Sequence, residues 1–110
     1  MFKNILAISL IFFSSVCFSG ELIRNATILE VASNGSNTKN FAVLVSGGTG
    51  ISATERTRWV YFPELSAPSL ASYNQSFSLA VTALTTDKKV RIHNYSSDSC
   101  EGANFISVNK

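Results

Sequence analysis

A single stretch of helical periodicity, set among five stretches of strand character, most narrows the folds open to this chain. Leu70, Tyr73, Phe77, Val81 and Leu84 fall at steps of three and four, which puts them on one stripe of a helix. Ser66 can cap its start, Pro68 is tolerated in the first turn, and Asn74, Ser78 and Thr82 lie away from the stripe. A long aromatic stripe at this spacing is read as core. The helix is expected to end near Thr85-Thr-Asp-Lys-Lys89, where lysines suit a helix C-terminus.

Period-two character surrounds this helix. Residues 26–32 are rich in β-branched side chains and run into the turn cluster Ser33-Asn-Gly-Ser-Asn37. Residues 40–46 are apolar on both faces, as in a central covered strand, and are broken by Gly47-Gly-Thr-Gly50. That glycine run has neither the lysine nor the following helix of a phosphate loop, so it reads as a turn or bulge. Residues 51–57 are polar and read as a loop, residues 58–62 are a third strand, and Pro63 stops it. After the helix, residues 90–95 alternate, with Val90 and Ile92 on one face and Arg91, His93 and Tyr95 on the other. Residues 96–102 form a loop and residues 103–108 a last strand. The order β-β-β-α-β-β, in a mainly β chain with one helix, matches the five-stranded Greek-key barrel called the OB-fold, whose helix plugs one end. The competing architecture is an open antiparallel sheet with one packed helix. The barrel is the favoured expectation.

The N-terminus reads as a secretory signal. Lys3 supplies a short positive region, residues 5–13 are almost unbroken apolar, and Ser14, Ser15, Cys17, Ser19 and Gly20 are small. An apolar run of about nine residues is well short of the roughly 20 that span a bilayer. Cleavage is expected after Ser19, with Gly20 nearly as good, leaving residues 20–110 as one small domain outside the cytoplasm. A lipoprotein signal ending at Cys17 is the lesser alternative, since Val16 precedes that cysteine. Loss of Lys3 leaves eight basic against seven acidic residues, a net charge near +1. A nearly neutral domain has no electrostatic reason to favour nucleic acid or anionic lipid. Without Cys17 only Cys100 remains, so no internal disulfide forms, and Cys100 is a buried thiol, a surface thiol or half of an intermolecular bridge.

Catalytic and metal chemistry find little to work with. The one histidine, His93, and Cys100 come from the same short hairpin with Asp98 and Glu101, and no second element contributes a partner. Their spacing suits neither a zinc nor a calcium loop, and no embedded carboxylate pair suggests a glycosidase. The expectation is a non-enzymatic protein without cofactor or metal. Trp59 and Tyr61 share one strand face behind Arg56 and Arg58, and aromatic faces beside polar donors suit sugar rings. Sequons stand at Asn25, Asn74 and Asn94.

Residues 73–93, from Tyr73-Asn-Gln through Thr85-Thr-Asp87 to Val90-Arg-Ile-His93, resemble the helix-to-strand passage of the B subunits of subtilase-cytotoxin-type and pertussis-like bacterial toxins. The resemblance covers about a fifth of the chain. It implies a secreted OB-fold that assembles in rings of five and binds sialylated glycans. The sugar-holding serine and tyrosine of those subunits fall approximately at Asn25 and Asn94, where this chain has asparagines. The whole chain also resembles a family of short, uncharacterised exported proteobacterial proteins. They share its Ser-Gly-Gly-Thr-Gly turn, its Lys-Val-Arg-Ile-His-Asn-Tyr strand and its Asp-Ser-Cys…Gly-Ala-Asn-Phe-Ile ending. The expectation is therefore an exported binding domain with a glycan as leading ligand, Asn25, Trp59, Tyr61, His93 and Asn94 as candidate ligand residues, and self-association as a homo-oligomer, a pentamer if toxin-like. The alternative is a small periplasmic structural or inhibitor protein that binds another protein.

Overall fold

The computed structural model describes residues 20–34, 39–50 and 55–110. The expected signal segment, most of the turn after residue 33 and the start of the loop after residue 50 lie outside the described residues. Among the described residues five strands form one antiparallel sheet: β1 (Glu21–Asn34), β2 (Asn40–Ser46), β3 (Thr57–Pro63), β4 (Lys89–His93) and β5 (Phe105–Asn109), in spatial order β3-β2-β1-β4-β5. One helix, α1 (Leu70–Thr86), joins β3 to β4. It is not long and apolar enough to cross a membrane.

β1 is twice the expected length because it serves two partners. Its first part pairs with β4, from Glu21 opposite His93 to Thr27 opposite Lys89, and its second pairs with β2, from Thr27 opposite Ser46 to Asn34 opposite Asn40. Register shifts flank Ile23, and Asn25 sits there in the left-handed region at φ 63°. An asparagine tolerates that conformation better than a β-branched residue would. The strand therefore bends and redirects the sheet midway. The 47–50 turn lies against this bend, with Arg24 and Thr49 exchanging backbone hydrogen bonds of 2.8 and 2.9 Å. Gly48, at φ 80°, has the Arg24 carbonyl where a Cβ would stand, so only glycine fits there.

The core lies on one face of the sheet. Phe41, Val43 and Val45 of β2 join Val60 and Phe62 of β3, Val90 and Ile92 of β4, and Ile106 of β5, all 5% exposed or less. The expectation for β2 holds, since Ala42 on its other face is also buried and Leu44 is half-buried. Mainly β architecture with one helix holds too, but the favoured closed barrel does not, and the open antiparallel sheet with one packed helix is what forms. The two outer strands have no ladder between them. β3 instead meets the loop before β5 at one clasp, where the Tyr61 N–H donates to the Cys100 carbonyl at 2.8 Å and the Ala103 N–H donates to the Tyr61 carbonyl at 3.0 Å. Pro63, with no N–H to give, and the turn at 99–102 keep the pairing from extending.

The helix departs from expectation at its start and in its facing. Ser69, not Ser66, is the N-cap: its hydroxyl accepts from the Ser72 N–H at 3.1 Å, while Ser66 closes a 3₁₀ turn, Glu64–Ser66, and Pro68 precedes the helix. Asp87 ends the helix in the left-handed region, its N–H returning to the Ala83 carbonyl. The fully buried helix residues are Ala80 and Ala83, beside half-buried Tyr73, whereas Leu70, Phe77 and Leu84 stay 60%, 39% and 37% exposed. The stripe is thus rotated toward the small residues, because alanine lets the helix backbone approach the sheet where leucine would hold it off. The aromatics then wedge in at one end. Phe41 stacks on Phe62 at 4.5 Å, with Tyr73 and Phe77 tilted or edge-on at 5.4 and 5.3 Å.

Candidate functional site

Alternation along β3 puts Val60 and Phe62 inward, so Trp59 and Tyr61 lie on the opposite face, across from Leu44 and Ala42 of β2. Below them Pro63 ends the strand and the chain folds into the 3₁₀ turn. The Glu64 N–H donates to the Lys39 carbonyl at 2.9 Å, drawing this turn against the start of β2. From the other side the clasp on Tyr61 brings in the segment that carries Glu101. The result is a cleft of about 620 Å³ lined by Lys39, Asn40, Tyr61, Pro63, Glu64, Leu65 and Glu101. Tyr61, Pro63 and Leu65 give it an apolar side, and Leu65 is 95% exposed. Lys39, Glu64 and Glu101 supply one positive and two negative charges, and none of the three makes an ion pair among the described residues. The Glu64 carboxylate is felt on the helix: after burial it is the second cause that raises the Tyr73 phenol above its ordinary pKa.

Asn94 points into its own loop in this geometry. It is 2% exposed, and both ends of its amide are occupied. Its Nδ2 donates to Ser97 Oγ at 3.1 Å and to the Ser99 carbonyl at 2.9 Å, and its Oδ1 accepts from the Ser96 and Ser97 N–H groups at 2.9 and 3.1 Å. Its own N–H donates to the Gly20 carbonyl at 2.7 Å. Asn94 therefore organises the loop that presents Glu101, and burial also removes it as a glycosylation acceptor. Cys100, in the same loop, is buried at 8% exposure and accepts from Arg58 Nε at 3.2 Å, in agreement with the first of the three states expected for it.

His93 belongs to a different patch. Its ring stacks on Tyr95 at 5.3 Å and meets the edge of Phe105 at 5.0 Å, with Arg91 over the Phe105 ring. Its Nε2 is 3.6 Å from Glu21 Oε2, a carboxylate already paired with Arg24 at 2.8 Å. Burial lowers the His93 pKa, and Arg91 and Arg24 add to the fall, against the pull of Glu21. A histidine whose folded pKa lies below its unfolded value near 6.5 contributes stability that is full above that value and is lost as pH falls toward the folded pKa. Denaturant midpoints measured from pH 7.5 to 5 should therefore drop with pH, and the drop should flatten in His93→Gln.

Of the residues expected to bind a ligand, then, Tyr61 lines the cleft and Trp59 stands two positions along the same face. His93 lies across the sheet on β4, Asn94 is interior, and Asn25 is an exposed residue at the β1 bend. Sequence reasoning missed Lys39, Asn40, Glu64, Leu65 and Glu101. The one signal available was Pro63, which forces a turn directly after the aromatic strand. No group of three or more His, Cys, Asp or Glu side chains placed to hold a metal ion occurs among the described residues.

A family model described as a family of unknown function, DUF5992, matches residues 2–110, and the chain belongs to that family. No curated protein and no solved structure matches it.

Proposed function

We propose that this family member is an exported, non-enzymatic binding domain that takes a carbohydrate in the cleft beside Tyr61. The observation that supports this reading is the composition of the cleft: one aromatic ring on the outer sheet face beside lysine, asparagine and two glutamates. A sugar presents C–H patches and hydroxyls together, and such a surface meets both. A ring covers the former, while an ammonium donor and carboxylate acceptors meet the latter. Export rests on the layout of Met1–Ser19 as a signal segment, and the resemblance of residues 73–93 to toxin B subunits agrees with glycan binding by a self-associating chain. Asn25 and Asn94 do not line this cleft, so this reading places the sugar elsewhere than the toxin resemblance implies.

The test is a glycan array probed with the protein and with Tyr61→Ala. Wild type should bind a defined set of glycans, and the variant should bind them about tenfold or more weakly. Its fold should persist, because the clasp at residue 61 is made by backbone groups. A second reading, a protein that recognises another protein through this surface, is favoured by Leu65, which stands 95% exposed at the cleft. An array blank for wild type, with a Leu65-dependent protein complex, would establish that reading instead.

A further inference from the structure

The sign of the cleft points further. Glu64 and Glu101 bring two carboxylates to it and Lys39 one ammonium, while the chain as a whole carries more positive than negative charge. The cleft is therefore locally negative on a protein that is otherwise slightly positive. Neither carboxylate is neutralised by an ion pair among the described residues, although Arg24 and Arg58 elsewhere hold their own glutamates, Glu21 and Glu55, at 2.8 and 3.3 Å. The two come from distant parts of the chain, Glu64 from the turn after β3 and Glu101 from the Asn94-organised loop, and the Tyr61 clasp and the Glu64–Lys39 backbone bond bring them to one space. A metal ion is a poor fit, since hard cations take six or more oxygen ligands and half-buried Glu64 and exposed Glu101 beside a lysine are not such a set.

We infer, on the strength of the carbohydrate reading above, that the sugar accepted by this cleft carries a protonated amine, as an unacetylated amino sugar does. The ammonium lies between Glu64 and Glu101, where charge-assisted hydrogen bonds are shorter and stronger than neutral ones. The C–H face of the ring covers Tyr61, whose π-face also attracts a cation, and Lys39 donates to ring hydroxyls. Sugars bearing carboxylates are disfavoured by the same two glutamates, because like charge facing like charge costs affinity.

The experiment is a calorimetric titration of the protein with three β-1,4-linked tetrasaccharides of matched shape, built of glucosamine, N-acetylglucosamine and glucose. The glucosamine tetramer should bind tightest, by roughly fivefold to tenfold at low salt, and the margin should shrink as ionic strength rises. In the double variant Glu64→Gln/Glu101→Gln the three should bind alike, whereas Tyr61→Ala should weaken all three. Equal affinities in wild type, or a preference for a neutral tetramer, would overturn the inference and leave the carbohydrate reading standing. Absence of binding to all three tetramers, with no other glycan bound on the array, would overturn both.

Discussion

Replacing Phe41 by alanine should unfold this protein more readily than any other single truncation described here. Phe41 is 1% exposed, lies face to face with Phe62 at 4.5 Å, and is the ring on which Tyr73 and Phe77 of α1 converge. Truncation removes the sheet side of the aromatic contacts that seat the helix among the described residues. Buried Phe→Ala changes cost about 3–5 kcal/mol, as lost transfer energy plus the cavity left behind. The upper half applies here, because the neighbouring rings are rigid and collapse poorly into the space. In a domain of this size that corresponds to a fall in Tm on the order of 15–30 °C. Thermal unfolding by near-UV circular dichroism measures it directly. A fall of only a few degrees would mean that α1 is held by Ala80 and Ala83 alone.

Asn94→Ala is the second large effect, and its cause is polar. The amide makes four hydrogen bonds inside the 96–99 loop, and its removal leaves the Ser96 and Ser97 N–H groups and the Ser99 carbonyl without their partner. Unsatisfied groups of this kind cost about 1–3 kcal/mol each where water cannot reach them. Because this loop is at the surface, water will replace some of the bonds, and about 2–3 kcal/mol in total is expected by denaturant titration. Asn94→Asp should not rescue, since it turns the Nδ2 donor into an acceptor facing the Ser99 carbonyl oxygen. Gly102 adds a check on the same network, for a Cβ there would stand 2.9 Å from Asn94 Nδ2. Since the loop carries Glu101 to the cleft, Asn94→Ala should also weaken ligand binding without touching the cleft itself.

Much of this fold is written in local pattern, and the exceptions share a cause. β2 is legible because Phe41, Val43 and Val45 and their opposite-face neighbours Ala42 and Leu44 are all apolar, and nothing else in the chain competes for that pattern. The helix is legible as a helix, but its facing is not: periodicity weighs Leu70 and Leu84 heavily and Ala80 and Ala83 lightly, whereas close packing prefers the small residues. The extra length of β1 goes unread because Arg24 and Asn25 interrupt its apolar sequence at the bend. In the site, Tyr61 is visible as one of two aromatics on a strand face. Glu101 and Lys39 are not, for they reach the cleft only through the clasp and the turn after Pro63. Asn94 shows the converse ambiguity. A strand-end asparagine followed by serines looks alike whether it awaits a ligand or holds its own loop, and burial alone decides.

The bend in β1 has a consequence for how the chain divides. With one strand serving as the inner member of both β1-β2-β3 and β1-β4-β5, a cut between β3 and β4 parts β4 from its partner strand. A break in the connection at residues 64–69 would leave α1, β4 and β5 as a piece parted from β1, the strand on which β4 pairs. The two pieces would have to recombine along the first half of β1, so β4 and β5 are templated by a strand made well before them.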